Sequence, residues 1–110
     1  MNQTSNVWND ARALQLVEAL CLIEDTALMM NFLRDILTEK EIIEIASRLK
    51  AAQMLFQGST YIKIANATGL SSRTIARISE WTQKDTKGYS SVIALLEDHH
   101  KHMSPAPAAS

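Results

Sequence analysis

Apolar residues recur along this chain at spacings of three and four, and no run alternates as the exposed face of a strand would. Over residues 7–24, Leu14, Val17, Leu20, Cys21 and Glu24 keep helical spacing, and Leu16, Leu22 and Ile23 spread the apolar surface beyond one face. Asp25 and Thr26 can cap a second helix, "ALMMNFLRDI". The third is the best marked. Thr38 and Glu41 have the spacing of a capping box, and Gly58 supplies a C-terminal stop. Along it Ile42, Ile45, Ala46, Leu49, Ala52 and Phe56 share a face, with Ile43, Met54 and Leu55 off it. Ser59 or Thr60 opens the short helix "YIKIANAT", and Ser71 or Ser72 caps "SRTIARISEW". After the polar "QKDTKG", the run "YSSVIALLEDHHKHM" predicts a last amphipathic helix. The pattern predicts an all-α fold in one domain over residues 7–103. A flexible start covers residues 1–6, and "SPAPAAS", residues 104–110, reads as a disordered tail.

Helices that are apolar on more than one face need cover on more than one side. A chain of 110 residues has few elements left to provide it, so the pattern predicts a homodimer. Composition agrees with helix: 46% of residues are apolar, against three glycines and two prolines. No apolar run reaches membrane-spanning length, and "MNQTSNVWND" lacks the basic and apolar regions of an export signal. A cytoplasmic protein with no membrane partner is expected. The single cysteine, Cys21, lies between Ala19-Leu20 and Leu22-Ile23 and reads as a small core residue in a reducing compartment.

Charge changes the picture more than composition does. Residues 7–47 carry eight acidic and three basic side chains, whereas residues 48–87 carry two acidic and seven basic. The basic segment surrounds "IKIANATGLSSRTIARISEW", in which two short helices flank Gly69. A helix-turn-helix needs a small residue where its second helix crosses the first, and Ala65 fills that place. Four residues on it needs a backbone tolerant of positive φ, which Gly69 supplies. Ile64, Leu70, Ile75 and Ile78 then hold the angle from within, leaving Ser72, Arg73, Ala76, Arg77 and Glu80 outward. Such a face, short-chained at its start and basic beyond, suits entry into the ~12 Å major groove. The unit spans about residues 60–81, and its candidate DNA contacts are Lys63, Asn66, Ser71, Ser72, Arg73, Thr74, Ala76, Arg77 and Lys84.

An enzyme is not expected. The sequence shows no nucleophile–base pair, phosphate-binding loop or paired carboxylates in a plausible setting, and no cofactor is implied. Asp98, His99, His100 and His102 read as a solvated helix end opposing the helix dipole, so no metal site is assigned.

The stretches "LTEKEIIEIASRLKAAQMLFQG", "GLSSRTIARISEW" and "KGYSSVIALLE" resemble the Trp repressor superfamily, and within it the small YerC/YecD proteins. The likeness runs through residues 8–100 and includes Arg48, Gly58, Gly69, Thr74, Ile75, Arg77 and Ser79. It implies six helices, an intertwined homodimer, and a transcriptional repressor that reads a palindromic operator through residues 71–81. It also implies a ligand pocket at Thr38, Arg48 and Arg77, since the repressor holds its corepressor beside matching residues. Two departures alter that pocket. Ile78 and Trp81 stand where the repressor has glycine and serine, and both add volume, so tryptophan is not the expected corepressor. Two other readings stay open: a helical module binding an acidic protein partner, and a sensor of a different small ligand.

Overall fold

A computed structural model of the chain describes residues 6–84 and 86–103. The tail at 104–110 and all but the last residue of the flexible start lie outside those residues. A 3-10 turn at Asn6–Asn9 precedes six α-helices: α1 (Ala11–Leu22), α2 (Thr26–Ile36), α3 (Glu39–Phe56), α4 (Tyr61–Thr68), α5 (Ser72–Thr82) and α6 (Gly88–Met103). The described residues contain no strand. They fall into two compact units, Met1–Ile42 and Ile43–Ser110.

In the N-terminal unit, side-chain caps decide where helices begin. Asp10 accepts the Arg12 backbone N–H at 2.8 Å and grips the same residue's guanidinium at 2.6 Å. That guanidinium holds the Asp10 carboxyl below the usual carboxylate range. The first helix therefore starts at Ala11, not at residue 7, because a capping Asp10 takes extended backbone and separates α1 from the turn before it. Asp25 caps α2 by accepting the Leu28 N–H at 2.8 Å. Thr38 and Glu41 form the expected reciprocal pair: the Thr38 N–H donates to Glu41 at 2.9 Å, and the Glu41 N–H donates to the Thr38 hydroxyl at 3.1 Å.

No described residue of this unit is buried. Leu14, Leu16, Val17, Leu22, Leu28, Met30 and Ile36 keep between 40% and 74% of their surface exposed. Cys21, expected in a core, is exposed as well. Flanking residues show that a cysteine is surrounded by apolar neighbours in sequence, but they do not show what packs over it.

The C-terminal unit has a closed core. Ala51, Ala52 and Met54 of α3, Ile64 of α4, Ile75 and Ile78 of α5, and Ile93 of α6 form one buried cluster. Leu49, Leu55, Ala65, Leu70 and Tyr89 pack against it. The face of α3 that meets this core matches the expected one only in part: Ala52 and Leu49 belong to it. Met54 is inside, while Ile45 and Phe56 are 56% and 46% exposed. Ala51 and Ala52, both fully buried, mark the stretch of α3 that the core covers. Gly58, with φ of 84°, ends α3, and the Ser59 N–H closes the motif on the Met54 carbonyl at 3.0 Å.

Ile75 is fully buried and Ile62 is 77% exposed, although both are isoleucines on short helices. Ile75→Ala is expected to cost about 2–5 kcal/mol, and Ile62→Ala to stay within about 0.5 kcal/mol. Urea titrations of the two variants check this; equal losses would contradict the assigned core.

Candidate nucleic-acid interface

The α4–α5 pair is built from local hydrogen bonds before any long-range packing is considered. Thr60 opens α4 by accepting the Lys63 N–H at 3.2 Å. Gly69 closes it in the left-handed region, φ 77°, with its N–H on the Ala65 carbonyl at 2.8 Å. The Thr68 hydroxyl spans the turn, donating to the Ile64 carbonyl at 2.8 Å and accepting the Leu70 N–H at 3.2 Å. Two residues past the glycine, Ser71 caps α5 by accepting the Thr74 N–H at 3.1 Å. The chain thus ends one helix and starts the next in a minimum of residues. Ile64, Leu70, Ile75 and Ile78 fill the interior of the angle.

The outward surface carries the candidate contacts. Lys63 and Asn66 are exposed on α4; Ser71, Ser72, Arg73 and Arg77 are exposed at the cap and along α5. Thr74 and Ala76 are half-buried. Lys84 lies just beyond α5, its ammonium 5.1 Å from the centre of the Trp81 ring. One neighbour went unnoticed in the sequence: Ile62, exposed beside Lys63. Spacing alone does not reveal it, because an isoleucine on a short amphipathic helix reads as core.

Two clefts lie behind α5. One, of about 310 Å³, is lined by Arg48, Thr74, Arg77, Ile78, Trp81 and Tyr89. A larger and mainly apolar one, of about 480 Å³, is lined by Ile45, Arg48, Leu49, Trp81, Thr86, Gly88, Tyr89 and Val92. The first brings together four of the five expected pocket residues. Thr38 belongs to the N-terminal unit, where its hydroxyl is committed to the capping box. Ile78 and Trp81 do not close the space between them. Ile78 is 4% exposed and serves the core, whereas Trp81 remains 55% exposed and forms a wall of both clefts. Tyr89, which lines both clefts, was not anticipated. It follows Lys87, whose φ of 55° is unusual for a residue with a side chain and turns the backbone into α6.

Elsewhere, His102 Nδ1 lies 3.0 Å from the Asp98 backbone carbonyl and 3.6 Å from its carboxylate, and the His99 and His100 rings stand 6.0 Å apart, all near the end of α6. Among the described residues no three metal-ligating side chains cluster, and no helix is long and apolar enough to cross a membrane.

Comparison with known proteins adds a family to this geometry. Residues 11–97 match the family described as Trp repressor protein. The uncharacterized protein YerC of Bacillus subtilis (strain 168) is 39% identical over 64 residues, covering 58% of this chain and 62% of YerC. The match therefore spans less than two thirds of that relative's length. The crystal structure of a TrpR like protein from Eubacterium eligens ATCC 27750 superposes with a TM-score of 0.79 at 30% identity, covering 84% of this chain and 96% of the other.

A Cβ added at Gly69 would meet nothing within 4 Å, so any cost of a side chain there is conformational. Gly69→Ala is expected to destabilise by about 1–2 kcal/mol, the penalty of a left-handed residue with a Cβ. Gly88, with equal space and no positive φ, should tolerate alanine with no loss. Thermal melts of both variants check the contrast.

Proposed function

We propose that this chain, which belongs to the Trp repressor protein family, is a sequence-specific DNA-binding regulator that represses transcription from a palindromic operator. It acts in the cytoplasm as a homodimer, with α5 as its reading helix. The observation that carries this reading is the exposed, arginine-bearing start of α5 on a Gly69-turned pair of helices. Helix-turn-helix proteins present the N-terminal residues of their second helix to base edges in this way. Lys63, Arg77 and Lys84 supply positive charge for the phosphates on either side. The proposed chemistry is binding, not catalysis.

The dimer is supported by the exposed apolar residues of α1 and α2. Each such leucine or methionine, if covered, contributes about 1.5–3 kcal/mol, and a second copy brings the same surfaces in self-complementary form. Sedimentation at micromolar concentration is expected to give twice the chain mass, with a melting temperature that falls on dilution. A compact monomer whose melt ignores dilution would sink this part of the proposal.

Tryptophan is not part of the reading, because Ile78 and Trp81, where the family resemblance has glycine and serine, add side-chain volume to the cleft although they leave it open. A second reading follows from the cleft at Arg48 and Arg77, where two guanidinium groups beside Trp81 and Tyr89 suit a different small anionic effector. Selection from a random DNA pool tests the central claim. A palindrome should be enriched with half-sites about 34–36 Å apart, the spacing general to two-fold helix-turn-helix dimers, the Trp repressor among them. No enrichment by a folded protein would refute it. Tryptophan titrated into the binding assay should change affinity by less than tenfold, ~1.4 kcal/mol of coupling.

A further inference from the structure

With α5 as the reading helix of the proposed function, its exposed side chains set which bases the operator carries. Arg73 is the second residue of α5 and is exposed. Two side chains at the helix start are already occupied: the Ser71 hydroxyl lies 3.1 Å from that of Thr74 and caps its N–H, while Ser72 is exposed with only a short hydroxyl to offer. The ion pairs among the described residues are Arg12–Asp10, Arg34–Glu39 and His102–Asp98, so no carboxylate there holds the Arg73 guanidinium. One turn along the same side stands Arg77, and like charges at that spacing repel. The two arginines are not equivalent. Arg77 lines the cleft with Arg48 and Thr74, whereas Arg73 lines neither cleft. Between them in sequence, Ala76 sits half-buried with only a methyl group to present.

A guanidinium is a rigid planar fork of donors, and it accepts nothing. In the major groove, guanine offers two neighbouring acceptors, N7 and O6, which match that fork; adenine pairs its N7 with a donor. A methyl beside the groove floor has its counterpart in the thymine C5 methyl. Arg73 and Ala76 are three residues apart, a rise of ~4.5 Å along the helix. Base pairs are stacked ~3.4 Å apart. With α5 laid along the groove, the two side chains address positions one or two base pairs from each other.

We infer that each operator half-site carries a guanine read by Arg73 and, one or two base pairs away, a thymine packed by Ala76. The experiment is selection from a random duplex pool with the full-length wild type, Arg73→Ala and Arg73→Gln, each first shown to melt like wild type. Arg73→Ala should lose preference at one position per half-site and bind the wild-type site about 5- to 150-fold more weakly. Arg73→Gln should turn that guanine into adenine, whose N6 and N7 match a carboxamide. Placing 7-deazaguanine at the position should weaken wild type and leave Arg73→Ala unaffected. Uracil in place of the neighbouring thymine should weaken wild type in the same assay. A site whose guanine is selected equally by all three proteins overturns the Arg73 assignment while leaving DNA reading intact. Indifference to uracil overturns the Ala76 assignment. A wild type that enriches no site overturns both, together with the function they rest on.

Discussion

Everything on the outer surface of α4 and α5 depends on one backbone conformation, the left-handed Gly69. Its φ of 77° lets α4 stop with the Ala65 carbonyl engaged by the Gly69 N–H and lets Ser71 begin a new helix two residues later. The resulting angle leaves a small interior, and Ile64 and Ile75 fill it completely. Without the turn those isoleucines would not share one core, and without that core only the local bonds of Thr68, Gly69 and Ser71 would hold the turn against fraying. A local torsion and two buried side chains thus make one device. Its product is a rigid edge on which Ser72, Arg73 and Arg77 stand at set spacings.

The two units divide labour unequally. Every buried residue of the described chain lies in the C-terminal unit, which builds its core from four helices. The N-terminal unit forms its helices through caps, with Asp10, Asp25 and Thr38 satisfying backbone donors at their starts. Caps are worth about 1 kcal/mol each. They can set helix boundaries, but they cannot offset the conformational entropy of ordering more than twenty residues. The apolar surface of α1 and α2 stays open in the single chain and adds nothing to that balance.

Boundary signals were legible in the sequence because they are short-range. Thr38 with Glu41, Asp25, Ser71, Gly58 and Gly69 each act within five residues, and each ends or starts a helix as their chemistry requires. The interior of the helix-turn-helix was legible for the same reason, since Ile64, Ala65, Leu70, Ile75 and Ile78 lie within fifteen residues of one another. Burial along α3 was not. That helix has 18 residues, and which stripe is covered at a given point depends on neighbours far away in sequence. Hence Met54 and Ile45 exchanged their expected places, and Cys21 proved exposed. The clefts were half legible: Arg48 and Arg77 could be paired from the family pattern, whereas Tyr89 enters through the turn at Lys87, which no periodicity describes.

Trp81 gives the molecule an optical property. Its indole forms a wall common to both clefts and lies under the Lys84 ammonium at 5.1 Å. The other tryptophan, Trp8, is in the N-terminal unit. Emission from Trp81 is therefore sensitive to what enters the clefts and to the position of the Lys84 ammonium, and each unit carries one tryptophan. With Trp8 replaced by phenylalanine, the light from this protein would report the state of the surface behind α5, with no dye attached.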